Sequence, residues 1–100
     1  MWCKFKKVIR HVEITKFARK QILRLPKHIV DNLLAWVDDV ETKGLEEARK
    51  ILGYHDEPLK GDRKGQRSVR LSLAYRAIYV VRDDGVAEFV SVEEVSKHDY

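Results

Sequence analysis

Ser68-Val69-Arg70-Leu71-Ser72-Leu73-Ala74-Tyr75-Arg76-Ala77-Ile78-Tyr79-Val80-Val81-Arg82-Asp83-Asp84-Gly85 is the stretch that decides the fold. Its opening, Ser68 to Ser72, alternates polar with apolar residues, as a half-buried strand requires. Tyr75 to Arg82 is rich in β-branched and aromatic residues and reads as a second strand. Asp84-Gly85 is a two-residue hairpin signal that returns the chain through Val86 to Val95. A three-stranded antiparallel meander is therefore expected at this end of the chain.

Upstream, Phe5 to Ile14 is β-friendly and is expected to form a first strand, with Val8, Val12 and Ile14 on one side. Thr15 is placed to cap a helix carrying Phe17, Ala18, Ile22 and Leu25, which Pro26 stops. Pro26 also suits the first turn of the next helix. There Ile29, Val30, Leu33, Leu34, Trp36, Val37 and Val40 form a broad apolar stripe, ended by Gly44. A short amphipathic turn, Leu45 to Ile51, follows, and residues 52–66 read as a glycine-containing loop. The order is strand, two-helix hairpin, meander. The fold class is α+β, with two helices packed on an antiparallel sheet of about four strands.

One hundred residues without a linker or repeat fit one domain, spanning 1–100, too small for a cleft around a large cofactor. No run approaches a membrane span, and Met1 to Lys7 has charge but no apolar stretch behind it, so neither a membrane anchor nor a secretory signal is expected. Cys3 is the only cysteine, and a reducing, cytoplasmic setting follows as the default.

The formal net charge of +4 conceals strong segregation. Residues 1–30 carry +8, 31–58 carry −5, 59–82 carry +6 and 83–100 carry −5. Mere solubility would intersperse the signs. Such blocks suit elements that neutralise one another across a fold, and equally a basic surface kept for a polyanion. The 59–82 block holds Lys60, Arg63, Lys64, Arg67, Arg70, Arg76 and Arg82. Arg70 is out of phase with Val69 and Leu71, while Arg76 and Arg82 share a phase on the next strand. Guanidinium forks on a sheet face can hold phosphate oxygens and stay charged as a pentavalent phosphorus gathers negative charge. The alternative, equally open from the residues alone, is a solvated face whose cations pair with Glu88, Glu93 and Glu94. The tail Lys97-His98-Asp99-Tyr100 adds groups that can exchange protons. His55-Asp56-Glu57, one imidazole with two acids in a loop, is too sparse to argue for a metal, and none is expected.

Pro58-Leu59-Lys60-Gly61, then Gly65-Gln66-Arg67-Ser68-Val69-Arg70-Leu71, then Ala74-Tyr75-Arg76-Ala77-Ile78-Tyr79 together resemble the central signature of the RelE/HigB toxins, in the RelE/ParE superfamily. Val92-Glu93-Glu94-Val95-Ser96-Lys97-His98-Asp99-Tyr100 is similar to the last strand and tail of the HigB-like branch. The hairpin around Leu25-Pro26-Lys27 fits as well, so the resemblance spans nearly the whole chain. It implies the compact α+β fold shared with small microbial ribonucleases. It also implies the toxin of a bacterial type II toxin–antitoxin module, cleaving messenger RNA without a metal or cofactor, usually on the translating ribosome. The partners implied are ribosome, mRNA and a cognate antitoxin of helix-turn-helix, HigA-like type.

On this resemblance Arg76 holds the scissile phosphate, and Lys60 and Arg70 occupy basic positions that the family uses. His98 or Tyr100 supplies the base, with His98 standing where some relatives carry arginine. Arg63, Lys64, Arg67, Arg82 and Lys97 are the expected RNA contacts, and the 1–30 block is a further surface for ribosomal RNA. With Tyr100 last, its terminal carboxylate is expected beside the site, opposing ionisation of the tyrosine. A gyrase-poisoning relative on the same fold and a simple RNA-binding module are the alternatives.

Overall fold

The computed structural model describes residues 8–97. In chain order the elements are β1 (Val12–Ile14), α1 (Lys16–Ile22), α2 (Lys27–Lys43), α3 (Leu45–Arg49), β2 (Glu57–Pro58), β3 (Arg67–Arg70), β4 (Tyr75–Asp83) and β5 (Glu88–Lys97). Short 3-10 turns occupy Leu52–Tyr54 and Gly61–Arg63. The strands form one sheet in the order β1-β5-β4-β3-β2. The α+β class, the helical hairpin and the meander are as the sequence led us to expect. Two details differ. The sheet has five strands, because Glu57 and Pro58 pair antiparallel with Ser68 and Arg67. It is mixed rather than antiparallel throughout, because β1 lies parallel to β5, with Val12, Glu13 and Ile14 beside Val90, Ser91 and Val92.

β1 is much shorter than the Phe5 to Ile14 strand expected; residues 5–7 of that span lie outside the described residues. The segment just before β1 is committed elsewhere. The Leu45 N–H donates to the Ile9 carbonyl at 2.8 Å, tying the chain to the corner between α2 and α3. Gly44 forms that corner at φ +90°, where a Cβ would fall 2.5 Å from the Val8 Cγ1. Only glycine fits there, both conformationally and sterically.

The Thr15 hydroxyl caps α1 by accepting the Ala18 N–H at 3.1 Å. α2 begins just after Pro26, whose carbonyl accepts the N–H groups of Ile29 and Val30. Ile29, Leu33, Trp36 and Val40 recur at helical spacing and are fully buried against Val69, Ala77, Tyr79, Val90, Val92 and Val95 of the sheet. The Trp36 and Tyr79 rings meet at 5.2 Å, tilted by 41°. The apolar stripe is narrower than the sequence suggested. Leu34 is exposed, as is Phe17 among the apolar residues expected on α1, since one face of each helix suffices to cover this sheet.

A bulge sets the far side of the sheet. Ile78 is opposite Glu94, yet Tyr79 is opposite Val92, so Glu93 is an extra residue in β5. The core phase passes from Val90 and Val92 to Val95, and both glutamates are released to the outer face. Among the described residues no helix is long and apolar enough to cross a membrane.

Candidate functional site

The alternation of β3 and β4 builds the site. Val69 and Ala77 turn into the core and are fully buried, so their neighbours Arg70 and Arg76 project from the opposite face. The two arginines are direct cross-strand partners. Like charges in that relation repel, and a sheet optimised for stability would not place them so. Neither guanidinium forms an ion pair or side-chain hydrogen bond with a described residue. The Nε of Arg76 is buried without a partner.

The turn joining the two strands holds them rigidly. The N–H groups of Leu71 and Ser72 both donate to the Tyr75 carbonyl, at 2.9 and 3.2 Å. The Ser72 Oγ accepts the N–H groups of Ala74 and Tyr75, each at 3.1 Å. Asn32 of α2 donates its Nδ2–H to the Leu71 carbonyl at 2.8 Å, fixing the turn to the helical layer. A small open cleft lies here. His55, Glu57, Ser68 and Tyr75 line it together with Arg70 and Arg76, and Ser72 and Leu73 close its turn side.

Glu57 and His55 enter the cleft from the edge of the sheet, through a segment anchored beneath it. Between them Asp56, with a side chain only 1% exposed, points inward. Arg67 donates its Nε–H to the Asp56 Oδ1 at 2.6 Å, and the Tyr79 hydroxyl donates to the Oδ2. Arg49 of α3 donates in turn to the Tyr79 Oη at 3.3 Å. Burial first, then the hydrogen bond to Asp56, pushes the Tyr79 phenol up to about 12 against the opposing effect of Arg49. Tyr79 is therefore held as a neutral donor. Burial works against the charge of Arg67, but its bond to Asp56 outweighs that and raises it above the ordinary arginine range. His55 itself has φ 45° and ψ 49°, the one non-glycine with positive φ among the described residues.

The remaining expected site residues are dispersed. Arg67 is partly buried and its guanidinium is engaged by Asp56 rather than left free. Arg63 reaches from the β2–β3 loop over the outer face to Glu94, at 3.2 Å. Arg82 is held by both carboxylate oxygens of Glu93, at 3.3 and 3.1 Å. Burial opposes the charge of Glu93, but the Ser91 hydroxyl and Arg82 outweigh it and keep this carboxyl below its usual range. For Arg63 and Arg82 the pairing with strand glutamates is thus the arrangement found. Lys60 and Lys64 are exposed on the loop and do not line the cleft. Lys97 is exposed opposite Tyr75, at the cleft end of β5. His98 and Tyr100 lie outside the described residues.

Sequence reasoning weighed His55 and Glu57 only as sparse metal ligands in a loop, and no local signal marked that Glu57 and Pro58 would pair with Ser68 and Arg67 at the sheet edge. Asp56 turns away from its neighbours, and no group of three His, Cys, Asp or Glu side chains is arranged to hold a metal among the described residues. The cleft offers two guanidinium groups for an anion, a carboxylate that can accept a proton, and an imidazole.

No family model matches the chain, and no curated protein matches it by sequence. Solved structures do. The chain is similar to YafQ from E. coli strain BL21(DE3), with a TM-score of 0.69 and 19% identity over 89% of this chain and 93% of that one. It is also similar to the YoeB–YefM complex from Staphylococcus aureus, at a TM-score of 0.65 and 18% identity, covering 89% and 97% of the two chains. The YoeB/ParE toxin from Agrobacterium tumefaciens gives a TM-score of 0.63 and 20% identity, covering 89% and 99%. The fold expected from the sequence resemblance is the fold observed.

Proposed function

With the RelE/ParE toxin fold as premise, we propose that this chain is the toxin of a type II toxin–antitoxin pair and a metal-independent endoribonuclease that cleaves mRNA on the translating ribosome in the cytoplasm. The observation that carries the reading is the cross-strand pair Arg70 and Arg76, unneutralised by any described residue and facing a cleft with a carboxylate. A phosphodiester supplies the missing counter-charge. Arg76 grips the scissile phosphate and Arg70 shares its developing charge. The neighbouring ribose 2′-hydroxyl attacks phosphorus, and Glu57 accepts its proton. The products are a 2′,3′-cyclic phosphate and a free 5′-hydroxyl.

The exposed cations of the loop and tail, Lys60, Lys64 and Lys97, together with the basic 1–30 segment, supply contacts to ribosomal and messenger RNA. An antitoxin encoded with the chain, of helix-turn-helix type, neutralises it. The test is to induce the protein briefly in bacteria and map mRNA 5′ ends, beside Arg76→Ala and Arg70→Ala. Wild type is expected to generate new 5′-hydroxyl ends within coding regions, and Arg76→Ala to lose them while remaining folded. Cleavage undiminished in Arg76→Ala refutes the assignment, and growth arrest with intact mRNA and disturbed DNA supercoiling favours a gyrase-directed toxin instead.

A further inference from the structure

Arg63 and Arg82 are cations of the outer sheet face that strand glutamates hold. We propose that Glu94 and Glu93 are exchangeable counter-anions: they occupy these arginines in the free protein and give way to phosphates of the RNA strand that enters the cleft. The inference rests on the ribonuclease reading above. It adds where the rest of the strand runs and what holds that path beforehand.

Register sets the path. Arg76 stands opposite Ser96, Ile78 opposite Glu94 and Arg82 opposite Phe89. Arg76, Ile78 and Arg82 share a phase on β4, the one that faces away from the core. Along β4 the Glu94 row lies about 7 Å from Arg76, and the Arg82 row about 20 Å from it. A single strand gripped at Arg76 and laid along β4 therefore passes over both ion pairs.

The acid–arginine pairs around the cleft differ in kind. Asp56 is 1% exposed, so losing Arg67 strands a buried charge. Arg63 and Arg82 are 43% and 54% exposed, and their partners Glu94 and Glu93 are 25% and 23% exposed. Pairs so open to water contribute little stability and exchange readily for another anion.

The exchange leaves neither carboxylate bare. The Ser91 hydroxyl donates to Glu93 at 2.6 Å, and the Ser96 hydroxyl to Glu94 at 2.9 Å. These bonds hold each carboxylate in place when its arginine turns to a phosphate. The bulge in β5 supplies the two acids. A regular strand sends one of two adjacent residues into the core, whereas here both stand on the arginine face. Such a guard disfavours stray RNA, whose phosphates must win each arginine unaided, more than mRNA already placed by the ribosome.

The probe is a short single-stranded RNA carrying 2′-O-methyl groups, which binds without being cleaved. Its affinity is read by fluorescence anisotropy across a range of salt. In the wild type each phosphate that takes an arginine frees a carboxylate, which takes up a cation; in Glu93→Gln and Glu94→Gln no carboxylate is freed. Each variant is expected to bind roughly two- to fivefold more tightly at low salt. Each should also steepen the log–log salt dependence by about 0.7, and the double variant should add the two. Arg63→Ala placed in the Glu94→Gln background should remove that gain. As a control, Asp38→Asn with Glu41→Gln removes two exposed acids from α2, in the layer behind the sheet, and should leave the wild-type slope. Unchanged slopes in the glutamine variants overturn the proposal, as does an equal change in the α2 control or a gain that survives Arg63→Ala. The same preparations are assayed for mRNA cleavage on programmed ribosomes. Cleavage by a wild type whose glutamine variants keep its slope sinks this inference alone. A wild type that neither cleaves mRNA nor binds the probe removes the ribonuclease reading and this inference with it.

Discussion

Replacing Arg76 by methionine should make the protein more stable while abolishing cleavage. Methionine keeps the length and apolar stem of the side chain but removes the guanidinium. Two costs disappear with it. The first is the repulsion between directly opposed Arg70 and Arg76; like-charged cross-strand pairs cost roughly 0.2–1 kcal/mol. The second is the buried, unpartnered Nε of Arg76; an unmet donor of this kind costs about 1–3 kcal/mol, with the lower end appropriate to a side chain that is only partly buried. A net gain of about 1 kcal/mol follows, or roughly 4–8 °C in Tm for a domain of this size. Thermal unfolding followed by circular dichroism at low and moderate salt measures it. The repulsive part should shrink as salt screens it, so the gap between variant and wild type narrows but does not close. Inorganic phosphate should raise the wild-type Tm and leave the variant nearly unmoved, because only the wild type presents both guanidinium groups. A variant that melts several degrees below wild type, or that responds equally to phosphate, refutes the reasoning.

Asp56→Ala strands the Arg67 guanidinium and the Tyr79 hydroxyl, and should cost about 3 kcal/mol, the low end for breaking a buried pair because Arg67 retains some exposure; urea unfolding checks it, and a loss below about 1 kcal/mol contradicts the network described. Tyr79 titrates near 12 in the folded protein against about 10 when unfolded. Its stabilisation is therefore complete below pH 10 and is lost as pH rises towards 12. Tyr79→Phe should flatten alkaline unfolding in that window, and an unchanged profile counts against the buried phenol. Gly44→Ala combines a glycine-only backbone conformation with a Cβ driven into Val8, and should lower stability by about 2 kcal/mol or more in the same urea assay.

Local rules read β4, the reversal at Asp84-Gly85 and α2 correctly because each is decided by its own periodicity and turn chemistry. The expected two-residue turn, however, is a four-residue loop, 84–87, between the paired Asp83 and Glu88, because the Asp84 carboxylate gathers the N–H groups that follow it. It accepts those of Val86 and Ala87 at 2.8 and 2.9 Å. The parallel placement of β1 was not legible, because strand direction depends on where the chain returns after three helices and three further strands. Nor was its length: the β-friendly residues before it are drawn to the Gly44 corner by a single backbone bond from Leu45. Glu93 and Glu94 looked like alternating strand residues, and the bulge that frees both for the outer face has no local signature. In the candidate site, Arg70 and Arg76 were legible from strand phase. Glu57 and His55 were not, because their approach depends on Asp56, whose partners Arg67 and Tyr79 are distant in sequence.

The segregated charge of the chain acquires a physical meaning from which pairs form. A basic block facing acidic blocks could neutralise itself throughout, and at Arg63, Arg67 and Arg82 it does, through Glu94, Asp56 and Glu93. Two of those carboxylates are available only because of the β5 bulge, and the third because Asp56 is turned inward. The same two devices leave Arg70 and Arg76 uncompensated. Glu94 is taken up by Arg63 and by the Ser96 hydroxyl, one row from Arg76 on the neighbouring strand. The carboxylate that remains in the cleft, Glu57, is bonded to neither arginine. Positive charge at the cleft is thus not a residue of a basic composition. It is what remains after specific neutralisation of the cations around it, and it lies where a phosphate would meet both guanidinium groups at once.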